Sequence, residues 1–319
     1  MPHSKSGRSR QPRKPTGPGT HQPHRPSAFE KAMDELSRPQ QAFPNVSLRW
    51  LLSAAGIVLL AAMAFAWMAL CLLYWQGSWQ LMYHPKAAIT QTPASVGLTY
   101  DPIRFAAEET GTPQLTGWWI PSPDARCTAL YLHGADGNLG DAVGDLAALH
   151  REGLAVFAFD YRGYGQSQPA RPSEKQLRQD AEWALSWLTQ TRHVESKNIV
   201  IYGSALGANL AAELAAQHRE LAGVILDEPR MDAMAPVFTD SRSRLVPAHW
   251  LVADRYDLAS PAAALRIPSL WLMPGGSANP HAFDSVGSSH TAVWLRSPSS
   301  SDPQFGETLH RWLDDLPAR

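Results

Sequence analysis

Ile199-Val200-Ile201-Tyr202-Gly203-Ser204-Ala205-Leu206-Gly207 carries a β-rich run into a tight turn, and an alanine-rich helical run, Ala208 to Gln217, leads out of it. Glycines stand two places either side of residue 205. This is the strand-turn-helix layout of the G-x-S-x-G elbow, whose small flanking residues permit a corner sharp enough to hold the middle side chain at a strained φ/ψ. The middle residue here is alanine. A methyl group can neither attack nor be activated as a nucleophile.

Outward from the elbow, apolar β-type runs alternate with helical patterns. Leu98–Phe105 and Gln114–Ile120 read as a hairpin. Strands follow near Thr128–Leu132, Leu154–Phe159, Asn198–Tyr202, Ala222–Leu226, Ser269–Met273 and Ala292–Leu295. Between and after them lie helical stretches near Leu139–Arg151, Ser173–Thr191, Leu206–His218 and Phe305–Leu316. Near-continuous apolar strands separated by helices predict an α/β domain with a mostly parallel sheet covered on both faces. Residues 228–267 are longer than a simple crossover and contain helical pieces, so they form a lid candidate.

Five stretches give these elements a family likeness. Tyr131-Leu132-His133-Gly134-Ala135-Asp136-Gly137-Asn138 resembles an H-G-x-x-G-N loop, and Phe159-Asp160-Tyr161-Arg162-Gly163-Tyr164-Gly165-Gln166-Ser167 an F-D-Y-R-G-Y-G-x-S turn. The elbow is the third. Asp254-Arg255-Tyr256-Asp257, followed by Ile267-Pro268, resembles the end of a lid region, and Leu81-Met82-Tyr83-His84-Pro85 the segment leading into the domain. Together they resemble the α/β-hydrolase superfamily, nearest to small membrane-anchored serine-peptidase-like or lysophospholipase-like hydrolases. The resemblance implies an eight-stranded α/β-hydrolase fold over residues 76–319, with a nucleophile, an acid and a base in the order Ser, Asp or Glu, His.

Each of those positions departs from the pattern. The nucleophile falls on Ala205. Ser204 is an alternative, but its own two-away neighbours, Tyr202 and Leu206, are bulky, and its side chain should point away from that of residue 205. The acid falls on Ser277 in Met273-Pro274-Gly275-Gly276-Ser277, with Asp284 read as a solvated residue. The base falls on Ser301, give or take a residue, because no histidine lies between His290 and His310. His290 is expected to precede the last strand, and His310 to lie in the last helix. The oxyanion hole needs only backbone N–H groups, expected at Ala135 and Leu206. His133 and Asp160 read as structural, and Arg162 as bonding carbonyls or a carboxylate.

The beginning of the chain differs in kind. Residues 1–49 hold nine Lys/Arg against three acids, a net of +6, while the whole chain carries -1. Residues 1–49 are read as a disordered, basic cytoplasmic tail, the first 27 being poor in large apolar side chains. From Trp50 to Trp75 no residue is charged, and residues 50–75 are long enough for a single transmembrane helix. Trp50, Trp67, Tyr74 and Trp75 suit an interfacial belt, Trp67 least because it lies deeper. No A-x-A site follows the run as a cleaved signal requires, and bulky Leu70 before Cys71 argues against lipoprotein processing. The positive-inside rule puts the N-terminus in the cytoplasm and the domain outside, which is periplasmic from an inner membrane if the cell is Gram-negative.

Near-neutral charge makes no electrostatic case for nucleic acid over the whole chain. The basic tail could touch nucleic acid or anionic lipid but reads first as a solvated, topology-setting segment, so no nucleic acid is expected. Cys71 and Cys127 are not expected to pair, no Cys/His cluster has ligand spacing, and no metal or other cofactor is expected. Two functions remain open. One is a pseudo-hydrolase that binds a small apolar ligand or a protein partner, through its cleft or through a surface patch. The other is an active serine-type esterase, lysophospholipase or peptidase with an unconventional constellation.

Overall fold

The structure, a computed structural model, describes residues 27–37, 46–107, 112–278 and 281–316. The chain divides into two compact units, Met1–Ala62 and Met63–Arg319. Most of the segment read as a tail, residues 1–26 and 38–45, lies outside the described residues. Within it, however, Ala28–Ser37 forms a helix, α1. The cause is local. Glu30 N–H donates to Ser27 Oγ at 3.2 Å and Ser27 N–H to Glu30 Oε2 at 2.8 Å, a reciprocal capping box. Leu48–Gly77 forms one 30-residue helix, α2, long and apolar enough to cross a membrane.

The second unit is built on an eight-stranded sheet. Before it, β1 (His84–Pro85) pairs in parallel with β5 (Asp136–Gly137) as a separate two-stranded ladder. β2 (Asp101–Ala107) and β3 (Pro113–Ile120) form the expected antiparallel hairpin. The others are β4 (Thr128–Leu132), β6 (Ala155–Asp160), β7 (Ile199–Ser204), β8 (Gly223–Asp227), β9 (Ser269–Pro274) and β10 (His290–Leu295). Their order is β10-β9-β8-β7-β4-β6-β3-β2, and all pairs from β6 to β10 are parallel. This is the α/β-hydrolase fold, with a mostly parallel sheet and flanking helices.

The connecting helices cover the sheet. α3 (Val143–Arg151), α4 (Glu174–Ser186), α5 (Leu206–Gln217) and α9 (Phe305–Asp314) match the long helical patterns of the sequence, while α6 (Ala235–Phe238), α7 (Ala248–Leu251) and α8 (Ala259–Ala264) are short pieces within residues 228–267. β4, β6 and β8 are buried throughout, as strands covered on both faces must be. Leu130, Phe157, Ile201 and Leu226 pack in one core layer, and Val156, Val200, Ile225 and Leu272 in the other. His290 does not precede the last strand but opens it, in register with Ser269. Pairing of His290 with Ser269 and of Thr291 with Leu270 extends the strand by two residues, and the His290 ring stands edge-on to Phe283 at 4.6 Å.

Several motif residues prove to be struts. Arg162 bonds a carboxylate: its backbone N–H and Nε both reach Asp180, at 2.9 and 2.7 Å, and its guanidinium lies 4.6 Å from the Trp183 ring. Glu174 near the start of α4 accepts the N–H groups of Arg255 and Tyr256. Asp254 accepts from the hydroxyl of Tyr83 at 2.6 Å. The Asp254-Arg255-Tyr256 run therefore fastens the end of the lid region to α4 and to the segment preceding β1.

Candidate functional site

The sharpest backbone feature lies at the junction of β7 and α5. Ala205 has φ 51° and ψ −114°, a region that L-residues with a Cβ seldom occupy. Packing accounts for it. A Cβ on Gly207 would stand 2.1 Å from the carbonyl oxygen of Leu132, and one on Gly203 2.3 Å from that of Gly207. Helix and strand thus approach to a distance only glycine permits, and the chain between them has to turn sharply. Ala205 N–H is tied to the Asp227 carbonyl at 2.8 Å, which anchors the turn to β8.

Ala205 and Leu206 line a cavity of about 150 Å³ with Ala135, Asp136, His84 and Arg230, and with Asp232, Ala233 and Pro236. Leu206 opens α5, so its N–H has no carbonyl one turn back within the helix. The Ala135 carbonyl accepts His84 N–H at 3.0 Å and the Tyr164 hydroxyl at 2.9 Å, which fixes that peptide. The two backbone positions expected to frame an oxyanion hole therefore meet in one place, beside a methyl group.

The other expected positions do not join them. Ser277 lines a different cavity of about 480 Å³ with Glu228 and His281, in which Ser277 Oγ and Glu228 Oε1 are buried without hydrogen-bond partners among the described residues. Arg230 stands in the wall of both cavities. Ser301 is exposed on a 3₁₀ turn, Ser299–Ser301, and lines neither cavity. Ser204 interacts with the buried Tyr131 hydroxyl rather than lining the cavity beside Ala205.

The loop after β10 is committed to another task. Ser299 Oγ donates to Asp227 Oδ1 at 2.6 Å, and the Tyr202 hydroxyl donates to Oδ2 at 2.7 Å. Alongside, the Tyr131 hydroxyl and Ser300 Oγ donate to the two oxygens of Asp145, at 2.6 and 2.5 Å. The rings of Tyr131 and Tyr202 stack at 5.4 Å. Two Tyr-Asp-Ser groups thus run side by side under the elbow. Burial pushes the Asp227 carboxyl up to about 7, against the opposing hydrogen bonds from Ser299 and Tyr202.

Sequence reasoning passed over one pair at the cavity. His84 Nδ1 lies 2.6 Å from Asp136 Oδ1, and both residues line the Ala205 cavity. The β1–β5 ladder sets them side by side. Each had been noticed within a motif, but no local signal joins residues 52 positions apart. His133 is buried, with Nδ1 2.8 Å from the Gly134 carbonyl and its ring against Tyr161 and Tyr164. Burial lowers its pKa to about 4, so it is neutral at physiological pH despite Asp160 Oδ1 3.7 Å away. That marks His133 as a packing residue.

Comparison with known proteins agrees with this frame. A family model described as serine aminopeptidase, S33, matches residues 123–281. The uncharacterized protein Rv2307c of Mycobacterium tuberculosis is 34% identical over 206 residues, covering 64% of this chain and 70% of that protein. The chain belongs to the α/β-hydrolase superfamily. The uncharacterized membrane protein YNL320W of Saccharomyces cerevisiae is 33% identical over 138 residues, or 43% of this hydrolase-fold chain and 48% of the yeast protein. Among solved structures, the Pyrococcus furiosus esterase Pf2001 superposes with a TM-score of 0.57 at 16% identity, covering 74% of this chain and 97% of that one. At that identity the likeness is one of fold. With an apolar helix and a membrane-protein relative, membrane association is consistent for this superfamily member.

Proposed function

We propose that this chain is a membrane-anchored α/β-hydrolase-fold protein that turns over no substrate and uses its retained frame for binding. The observation that carries the proposal is the methyl of Ala205 at the apex of a fully formed elbow. Two placements support it. Ser277 stands apart from the elbow cavity, and the loop that would bring a base spends Ser299 on buried Asp227. Loss of all members of a triad costs on the order of 10⁶ in rate, leaving only what binding and the oxyanion donors contribute.

The size of the cavity bears on what is bound. Small-molecule sites occupy roughly 300–1,000 Å³, whereas the space over Ala205 is about 150 Å³ and is lined in part by Asp232, Ala233 and Pro236. This favours a protein partner held on the surface over a small apolar ligand held above Ala205, although the neighbouring cavity at Ser277, about 480 Å³, has the size for one. The basic tail supports a cytoplasmic N-terminus and an extracytoplasmic domain.

A second reading, an active hydrolase, draws on the His84–Asp136 pair. A histidine oriented by a carboxylate can serve as general base toward water without a covalent intermediate. The experiment that separates the two uses the full chain in lipid nanodiscs, with short-chain ester hydrolysis and fluorophosphonate labelling as readouts. The binding reading expects neither turnover nor label. Turnover that disappears in His84→Ala would establish the second reading and overturn the first.

A further inference from the structure

We propose that the lid edge carrying Leu245 and Trp250 lies in the headgroup layer of the membrane that α2 crosses, with Arg244 placed to bind lipid phosphate. The placement comes from two hydrogen bonds at different heights on α2. The Tyr74 hydroxyl donates to the carbonyl of Val237 at 2.8 Å, and Trp67 Nε1 donates to the carbonyl of Leu245 at 3.0 Å. Seven helical residues separate the two donors, a rise of about 10 Å. Between Val237 and Leu245 the lid therefore climbs along the helix, back into the charge-free run Trp50–Trp75.

Trp67 and Trp75 mark the far end of that run. Trp50 to Trp67 is 18 residues, and at 1.5 Å each they rise about 27 Å, close to the roughly 30 Å hydrocarbon core of a bilayer. Tyr74 and Trp75 lie farther out in the same belt, so Trp67 is the first level at which hydrocarbon can give way to headgroups and an indole N–H can still find an acceptor. Its acceptor is the lid. Leu245 must share that level.

The chemistry of the edge fits. Trp250 is 90% exposed and Leu245 60%, the former the most exposed large apolar side chain among the described residues. On α2, Met68, Leu72, Leu73 and Trp75 are likewise bare over the same rise. Leu245 stands at the level of Trp67, and Leu251, next to Trp250, lines a cavity with Trp75 and Ser78. The apolar side chains uncovered on helix and lid between those levels call for the same cover, and the bilayer is continuous with the span that places them there. Arg242 is engaged by Asp240, but the neighbouring Arg244 side chain is exposed and has no partner among the described residues. Its apolar stem can lie along the interface while the guanidinium forks onto phosphate.

The test reads depth directly. The full chain with Cys71→Ser, Cys127→Ala and Trp250→Cys is labelled with an environment-sensitive fluorophore and placed in phosphatidylcholine nanodiscs, with and without phosphatidylglycerol. The same label at exposed Arg151 is the aqueous control. The expected result at 250 is a blue-shifted emission, quenching by shallow doxyl lipid, and iodide quenching reduced at least about twofold relative to the control. Equal iodide quenching at both positions overturns the proposal. Should loss of the cysteines unfold the chain, a photoreactive benzoylphenylalanine at 250 in the native background gives the same answer. A lipid adduct supports the proposal. No lipid adduct, or an adduct only with a second copy of the chain, overturns it.

Discussion

Ser299 Oγ and Asp227 Oδ1 lie 2.6 Å apart, which ties the loop after β10 to the end of β8. Both groups are buried, so the bond satisfies polar atoms that water cannot reach. Ser299→Ala leaves a buried carboxyl oxygen without its donor and is expected to destabilise the domain by about 1–3 kcal/mol. Urea denaturation followed by tryptophan emission measures it. A change within error would show that the loop is held by something else.

The same carboxyl makes stability depend on pH. Burial raises Asp227 and Asp160 to about 7, whereas both ionise near about 4 in an unfolded chain. The folded state therefore binds more protons between those values, and the contribution is full below about 4 and lost as pH rises through about 7. His133, lowered by burial to about 4, acts the opposite way. Its contribution is lost as pH falls from about 6.5 to about 4. Above about pH 6.5 the His133 effect is spent. His218, held against burial above the ordinary imidazole value by Glu220 and Glu182, acts in the same direction as the carboxyls. The melting temperature should therefore decline from pH 6.5 to 8. Asp227→Asn should flatten that decline, and an unchanged slope would count against Asp227 as its source.

Ala205 invites a substitution that would be pointless in an enzyme whose nucleophile sits there. Holding a non-glycine residue at φ 51° and ψ −114° costs on the order of 1–3 kcal/mol. Glycine escapes that cost but adds about 0.4–1 kcal/mol of unfolded-chain entropy. Ala205→Gly should thus stabilise the domain by about 1 kcal/mol. A lowered denaturation midpoint would mean that the methyl contributes packing which outweighs the strain.

Gly207→Ala should do the reverse. The added Cβ meets the Leu132 carbonyl oxygen at 2.1 Å and that of His133 at 2.6 Å, both backbone atoms. Helix and strand must separate, at about 3 kcal/mol, the upper part of the overpacking range. Gly144→Ala, where nothing lies within 4 Å of the new Cβ, is the matched control and should be tolerated.

Much of the architecture was written in local pattern. The strand from Thr128 to Leu132 matched its expected bounds because a short apolar run between turn signals admits little else. The helix leaving the elbow ended within one residue of its expected limit for a similar reason. What escaped was set by contacts far apart in the chain or by a signal passed over. The α1 helix had its signal in Ser27 and Glu30, three residues apart, yet composition around it reads as a tail. His84 meets Asp136 only because a two-residue ladder aligns them, and two residues leave no periodicity to detect. Ser301 was named for the base position by counting along the loop. The buried member of that serine run is Ser299, and only the fold distinguishes them.

The glycines at 203 and 207 have a wider meaning than the turn between them. Their lack of a Cβ is demanded by helix meeting strand, not by anything done at the apex. A corner demanded by packing stands whatever side chain occupies its apex. In this chain the glycine spacing therefore reports shape, and only the residue between the glycines bears on chemistry.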